Sequence, residues 1–312
     1  MRVVFMGTGE IGVPAFRWLL DSPECEVVVA VTQPDKPAGR KLELRASAIK
    51  QLAVERGVPV LQPVKMRAAE AVAEIVALQA DVIVVMAYGQ ILPKAVLDAA
   101  RLACLNLHAS LLPRWRGAAP IQAAIEAGDS TSGITVMHMA EGLDTGDILL
   151  LRETPITGTD TGGSLHDRLG MIAAEALAEA LPLVAAGRAP RFPQDETQAN
   201  YAPKLTRENG LIDWRATPAE IDRRIRAMNP WPAAHTFLPT SDGPRQLKVF
   251  ATSPDDATGP PGEVLRADDT GLLVAVNGGA VLLRELQLEG KRRMEAGEFL
   301  RGHLIAPGTV LG

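Results

Sequence analysis

The strongest constraint on this chain is an alternation in its first hundred residues. Short runs rich in β-branched residues at positions 3–6, 26–32, 58–61 and 81–87 are separated by helix-compatible segments that include 46–56 and 66–79. Strands alternating with helices at this spacing form a mostly parallel sheet with helices on both faces, since parallel neighbours need a long crossover between them. Ligands of such open sheets sit beyond the carboxyl ends of the strands. The residues just after each run are therefore the first to search for chemistry.

The pattern changes in the last third. An Ala-rich segment at 164–186, interrupted by Pro182, reads as the last helix of the first domain and is followed by a polar stretch reaching Lys204. Beyond it, short strands at 247–252, 263–266, 272–276 and 280–288 are divided by Gly, Pro and Asp clusters, the pattern of a small β-barrel. A chain of 312 residues holds two domains comfortably. The expectation is an α/β domain over 1–187, a linker over 188–206 and a β domain over 207–312.

Several classes are excluded. Hydrophobic residues make up 47% and charged residues 22%, an ordinary globular composition. No apolar run approaches the roughly 18–20 residues of a membrane span. Met1 and Arg2 lead straight into a strand with no signal-like segment, so the protein is expected to be cytoplasmic with no membrane partner. Cys25 and Cys104 show no metal-site spacing, so no metal and no disulfide framework is expected. A formal charge of -5 argues against a generally basic surface, so any RNA contact must be local.

Gly7, Gly9 and Gly12 match GxGxxG at the end of the first run, where a dinucleotide pyrophosphate can meet a helix N-terminus. Such a site also wants an acidic residue closing the second strand, yet that strand ends Val31-Thr32-Gln33 before Pro34. Asp35 follows in a loop expected to point elsewhere. The glycines are read as a tight turn, and no NAD is expected.

The chemistry is expected further on. In Cys104-Leu105-Asn106-Leu107-His108, strand alternation sends Asn106 and His108 to one face. His108 then opens into Ala109-Ser110-Leu111-Leu112-Pro113-Arg114-Trp115-Arg116-Gly117, an apolar and basic loop. A second cluster, GLDTGDIL at 142–149, follows a strand-like run at 134–138, and its glycines permit a tight path around Asp144. Each residue alone has an ordinary structural explanation; the combination is what points to a site.

Asn106-x-His108 joined to Ser110-Leu111-Leu112-Pro113, then Asp144 within GLDTGDIL, resembles the signature of the folate-dependent formyltransferases. Thr32-Gln33-Pro34-Asp35-Lys36-Pro37-Ala38-Gly39-Arg40, the SLLPRWRGAAPIQ run and Asn229-Pro230-Trp231-Pro232 are similar to the branch acting on initiator methionyl-tRNA. The resemblance covers nearly the whole chain and implies a Rossmann-like domain followed by an OB-like barrel. It also implies 10-formyltetrahydrofolate as donor and initiator methionyl-tRNA as partner. Folate would run along Ser110, Leu111, Leu112 and Pro113. The first loop departs from the family's usual GTPxFA, which is read as a difference in packing.

Formyl transfer needs an uncharged amine, a stabilised oxyanion and a leaving nitrogen that takes a proton. Asn106 is assigned as oxyanion donor, with His108 and Asp144 handling protons in a way sequence leaves open. No covalent intermediate is required. Lys36, Arg40, Lys41, Arg45 and Lys50, opposed only by Glu43, suggest a local positive patch. The resemblance implies tRNA contact at Arg40 and Lys41, although 41–46 departs from the family. Arg223, Arg224, Arg226, Lys248, Lys291, Arg292 and Arg293 are further candidates for phosphate contact. The alternative substrate is an amino-sugar nucleotide or ribonucleotide amine. A monomer is expected.

Overall fold

The structure is a computed structural model that describes residues 1–38 and 43–312. The first elements are β1 (Arg2–Gly7), α1 (Val13–Asp21), β2 (Glu26–Val31), β3 (Lys36–Ala38), β4 (Glu43–Arg45), α2 (Ala48–Glu55) and β5 (Val60–Leu61). Then come α3 (Ala69–Ala77), β6 (Val82–Met86), α4 (Lys94–Leu97), β7 (Ala103–His108), β8 (Arg116–Gly117), α5 (Pro120–Ala127), β9 (Thr131–His138) and β10 (Ile148–Pro155). They are followed by α6 (Gly162–Ala185), β11 (Tyr201–Ala202), α7 (Pro218–Ala227), β12 (Ala234–Leu238) and β13 (Arg245–Asp255). The last are β14 (Val264–Asp268), β15 (Gly271–Val276), β16 (Gly279–Leu288), β17 (Met294–Glu295) and α8 (Ala296–Gly302).

Two compact units result. One comprises 1–120, 131–155 and 166–202; the other comprises 121–130, 156–165 and 203–312. Residues 188–202 therefore pack with the sheet unit.

The first unit carries a seven-stranded sheet in the order β10-β9-β7-β6-β1-β2-β5. The five strands from β7 to β5 run parallel, whereas β9 runs antiparallel to both its neighbours, β7 and β10. Both faces of the parallel part are covered, which is why β1 and β6 read as continuous apolar runs rather than alternating ones. Phe5 of β1 stacks on Phe16 of α1 with ring centroids 4.8 Å apart. The chain moves outward from β1 through β2 to β5, then returns to β1's other side for β6 and β7. This reversal opens the crevice beyond the carboxyl ends of β1, β6 and β7.

Pro182 does not interrupt α6, contrary to the sequence reading. It lies on the exposed side of the last turn, where its missing N–H removes little of the ladder, and Ala186 still donates to its carbonyl at 3.1 Å.

The second unit is built on an antiparallel sheet in the order β12-β13-β16-β15-β14, with β17 beside β16. β12 and β14 do not pair with each other among the described residues, so the OB-like barrel is open. Thr217 and Glu220 form a capping box at the start of α7, which delivers Ile221 and Ile225 to a core with Trp214, Val249, Leu283 and Phe299. The Trp214 indole N–H is satisfied by Thr236 Oγ1 at 3.2 Å. β12 lacks a β-branched run and was not legible in the sequence. Among the described residues no helix is long and apolar enough to cross a membrane.

Candidate active site

β7 runs between β6 and β9, with Asn106 opposite Val85 on one side and Met137 on the other. Its central position buries the whole strand, so Asn106 and His108 are only 9% and 6% exposed. Polar groups at that depth need partners. The His108 ring finds one in the Trp115 carbonyl, 2.9 Å from Nε2. A carbonyl only accepts, so Nε2 carries the hydrogen and the ring turns Nδ1 the other way.

Nδ1 faces Asp144. The Asp144 carboxylate lies 3.7 Å from His108 Nδ1 through Oδ2 and 3.4 Å from Asn106 Nδ2 through Oδ1. Both separations are long for direct hydrogen bonds. They leave the three side chains converged on one spot without saturating one another, as a centre that must accept a reacting group requires. The carboxylate is nevertheless fixed, because the Gly117 N–H donates to Oδ2 at 2.8 Å. Asp144 holds φ 52°, a left-handed conformation that Asp tolerates better than most residues.

Gly117 is one position where only glycine fits. Its φ is +107°, and a Cβ there would lie 2.4 Å from the Tyr201 ring and 2.6 Å from the Ala202 carbonyl. That close approach comes from the parallel pairing of β11 with β8.

The loop after β7 is tied down from within. Thr135 Oγ1 donates to the Ser110 carbonyl at 2.6 Å and accepts the Leu112 N–H at 3.0 Å. Ser110 Oγ donates to the Arg114 carbonyl at 2.7 Å. Ser110 and Leu112 are buried, and Leu111 packs over Gly133. The Ser110 hydroxyl is thus committed inside the loop, so this segment offers a ligand its backbone and the half-buried faces of Leu111 and Pro113.

Sequence alone missed the partners that come from far along the chain. Gln194 Nε2 donates to the carbonyls of both Asp144 and Gly146, at 2.7 and 2.8 Å. The buried Arg116 guanidinium reaches Gln194 Oε1 at 2.8 Å and forks onto the Glu196 carboxylate at 2.7 and 2.9 Å. The Arg116 hydrogen bonds hold Glu196 below its usual carboxylate range, and Glu196 in turn raises Arg116. No residue type near 194 signals this role, since an isolated Gln in a polar stretch reads as surface.

The glycine motif after β1 is spent on packing. The N–H groups of Thr8 and Gly9 both donate to the Ala87 carbonyl, at 3.1 and 3.2 Å. A Cβ on Gly7 would lie 2.7 Å from Phe5, and one on Gly12 would lie 3.3 Å from it. Asp35 bonds to Lys50 at 2.7 Å and to Gln62 at 2.8 Å, so its carboxylate is already spent, and it neutralises one of the lysines counted toward the basic patch. Cys104 is buried and its thiol is pushed up to about 12 by desolvation. Among the described residues no cluster of His, Cys, Asp and Glu is placed to hold a metal.

Arg40 and Lys41, expected at the tRNA interface, lie outside the described residues. They fall between β3 and β4, where Lys36 is directly across from Arg45. In the second unit, Arg224 pairs with Glu126, Arg226 with Asp222, Arg292 with Glu298 and Arg293 with Glu285. Arg223 donates to the Glu126 carbonyl at 3.1 Å. Lys248 and Lys291 make no ion pair among the described residues, so they are the better candidates for phosphate contact.

Comparison with known proteins agrees with this architecture. Residues 1–181 match the formyl transferase family and residues 204–304 match the formyl transferase C-terminal domain. The chain is 49% identical over 312 residues to a methionyl-tRNA formyltransferase of Geotalea uraniireducens, covering 100% of this chain and 98% of that protein. It is 50% identical over 314 residues to one of Pseudomonas fluorescens, with coverage of 100% and 98%. The crystal structure of HypX from Aquifex aeolicus in complex with tetrahydrofolic acid shares the fold at a TM-score of 0.63 and 20% identity, over 96% of this chain and 47% of that one. With both family regions present in order and about half of all residues shared from end to end, the chain belongs to the methionyl-tRNA formyltransferase family.

Proposed function

We propose that Asn106, His108 and Asp144 are the reacting side chains of an enzyme that moves the formyl group of 10-formyltetrahydrofolate onto the α-amine of methionine carried by initiator tRNA. The observation that carries this reading is their convergence: one carboxylate stands 3.4 Å from an amide donor and 3.7 Å from an imidazole nitrogen, at a buried strand end. Identity of 49–50% over the full chain to proteins named for this reaction favours it over transfer to a sugar amine.

In the reaction a bond forms between the methionine nitrogen and the formyl carbon, and the bond from that carbon to the folate nitrogen breaks. One proton leaves the attacking amine and one reaches the departing folate nitrogen. Asn106 Nδ2–H is the donor for the oxyanion that develops on the formyl oxygen. Asp144, locked by the Gly117 N–H, is the acceptor for the amine proton. His108 Nδ1 faces the same carboxylate at 3.7 Å, so a reacting nitrogen placed beside the pair can reach both, and His108 passes the proton across. Direct transfer between two bound substrates draws its rate from proximity and orientation, with no acylated side chain. The loop of Ser110, Leu111, Leu112 and Pro113 takes the folate along its backbone.

Arg40 and Lys41 are assigned to the acceptor end of the tRNA, with Lys248 and Lys291 contributing phosphate contacts in the second unit. Replacing Lys248 or Lys291 by Ala should lower the salt dependence of tRNA binding by about one unit of slope, with turnover at saturation unchanged. The deciding experiment supplies labelled 10-formyltetrahydrofolate with initiator methionyl-tRNA, elongator methionyl-tRNA or an amino-sugar nucleotide. Transfer to the initiator alone is expected. Transfer to the sugar amine alone would overturn the substrate, and transfer to none would overturn the site.

A further inference from the structure

The three reacting residues sit on two segments, β7 and the loop 139–147, and neither segment alone sets their geometry. A third segment grips the loop directly and reaches β7 through Trp115, whose carbonyl receives the His108 ring. Phe192 exchanges two backbone hydrogen bonds with Ile148, at 2.8 and 3.0 Å, closing the far end of the Asp144 loop. The ring of His138, at the near end, donates from Nε2 to the Pro190 carbonyl at 3.1 Å. Between them Gln194 holds the carbonyls of Asp144 and Gly146 with one amide group, Arg116 holds Gln194, and Glu196 in turn holds Arg116. Six residues on, Asn200 Oδ1 accepts the Trp115 N–H, and the Asn200 carbonyl accepts the Arg116 N–H at 3.0 Å. Trp115 has φ 61°, an unfavourable conformation for a bulky side chain, and its carbonyl receives the His108 ring.

We infer that residues 190–200 form a clasp that positions the reacting side chains, Gln194 acting through Asp144 and Asn200 acting through Trp115 and His108. Two features single out positioning over simple packing. The clasp's amide donors go to backbone carbonyls of the very turn that holds Asp144 in a left-handed conformation. Its Asn200 acceptor secures the strained residue whose carbonyl sets the His108 tautomer. Backbone strain of this kind persists only where surrounding contacts enforce it, and displacement of a reacting group by about 1 Å costs on the order of 10²-fold in rate. Gln194 and Asn200 are positioning residues: neither side chain is spent on a reacting group. The inference rests on the reading of Asn106, His108 and Asp144 given above.

The test uses the full chain carrying Gln194→Ala, Gln194→Glu or Asn200→Ala. Formyl transfer is measured with both substrates varied, and amide hydrogen exchange is followed at 110–117 and 139–147. Gln194→Ala is expected to lower kcat by about 10–100-fold, with KM for folate and tRNA within about threefold and the thermal midpoint nearly unchanged. Its exchange should speed up at 139–147 while β6 and β7 stay protected. Gln194→Glu keeps an acceptor for Arg116 but loses the donors, so it should remain impaired; full activity in it would overturn the donor role. Asn200→Ala should loosen 110–117 and lower kcat by a smaller factor. Unchanged exchange in all three variants would overturn the clasp, as would a rise in KM at constant kcat. Looser amides with both kcat and KM unchanged would leave the clasp standing as the hold on the Asp144 turn and remove Asp144 from the reacting centre, so the two readings fail separately.

Discussion

Two strand ends of the same sheet make opposite use of similar surroundings. The turn after β1 carries the GxGxxG spacing of a nucleotide site, yet its Thr8 and Gly9 N–H groups are consumed by the Ala87 carbonyl and its glycines make room for Phe5. The end of β7 carries no nucleotide motif, yet Asn106 and His108 converge there on Asp144, with partners arriving from Gly117, Gln194 and Asn200. A short spacing pattern reports local backbone geometry, which packing alone can demand. Chemistry requires side chains that meet in space while keeping unspent hydrogen-bonding capacity.

The sharpest way to break this contrast is to remove the reacting groups. Asp144→Ala should lower single-turnover formyl transfer by about 10³-fold in a protein that still folds. Asn106→Ala should follow at about 10²-fold or more, as expected for loss of one oxyanion donor. A drop of less than tenfold in either, at saturating substrates, would take that residue out of the centre. Gly117→Ala ranks next, because it combines φ +107° with a Cβ placed 2.4 Å from the Tyr201 ring. It should destabilise the fold by about 1–3 kcal/mol, read by urea unfolding, and should also depress kcat, since the N–H that locks Asp144 must move.

The β1 turn supplies the control. Gly12 has φ -80° and room for a Cβ at 3.3 Å from Phe5 if that ring shifts slightly. Gly12→Ala should therefore change stability by about 1 kcal/mol or less and leave kcat within about twofold; a large catalytic defect with intact stability would erase the distinction between the two strand ends. The last effect is alkaline. Tyr88 is buried just beyond β6, has no hydrogen-bond partner for its hydroxyl among the described residues, and is pushed up to about 12 by desolvation. The unfolded chain ionises this phenol near its ordinary value of about 10. Between these values the unfolded state binds fewer protons than the native state, so stability should fall as pH rises from about 10 to about 12. Tyr88→Phe should flatten that decline; an unchanged slope would assign it to other groups.

Much of the fold was legible because parallel strands covered on both faces announce themselves as unbroken apolar runs, as in residues 82–86. The candidate side chains were legible too, because Asn106-x-His108 at a strand end is an uncommon pairing of position and chemistry. β12 was hidden because its sequence, AHTFL, has no run of β-branched residues. The supports of the site were hidden for a different reason. Gln194 acts 50 residues from Asp144, and Asn200 acts 85 residues from Trp115. Nothing local in a polar stretch betrays a hydrogen bond made at that range.

The placement of the clasp sets an order in time. Chains emerge from the ribosome amino end first and their domains fold as they appear. The strand bearing Asn106 and His108, and then the loop bearing Asp144, are both synthesised before Gln194 and Asn200 exist. If the clasp positions the site as proposed, the sheet can assemble while its chemistry is still slack, and competence arrives with the residues that follow α6. On the proposed assignment, a fragment ending at the last turn of that helix would hold Asn106, His108 and Asp144 and lack the contacts that residues 190–200 make around them.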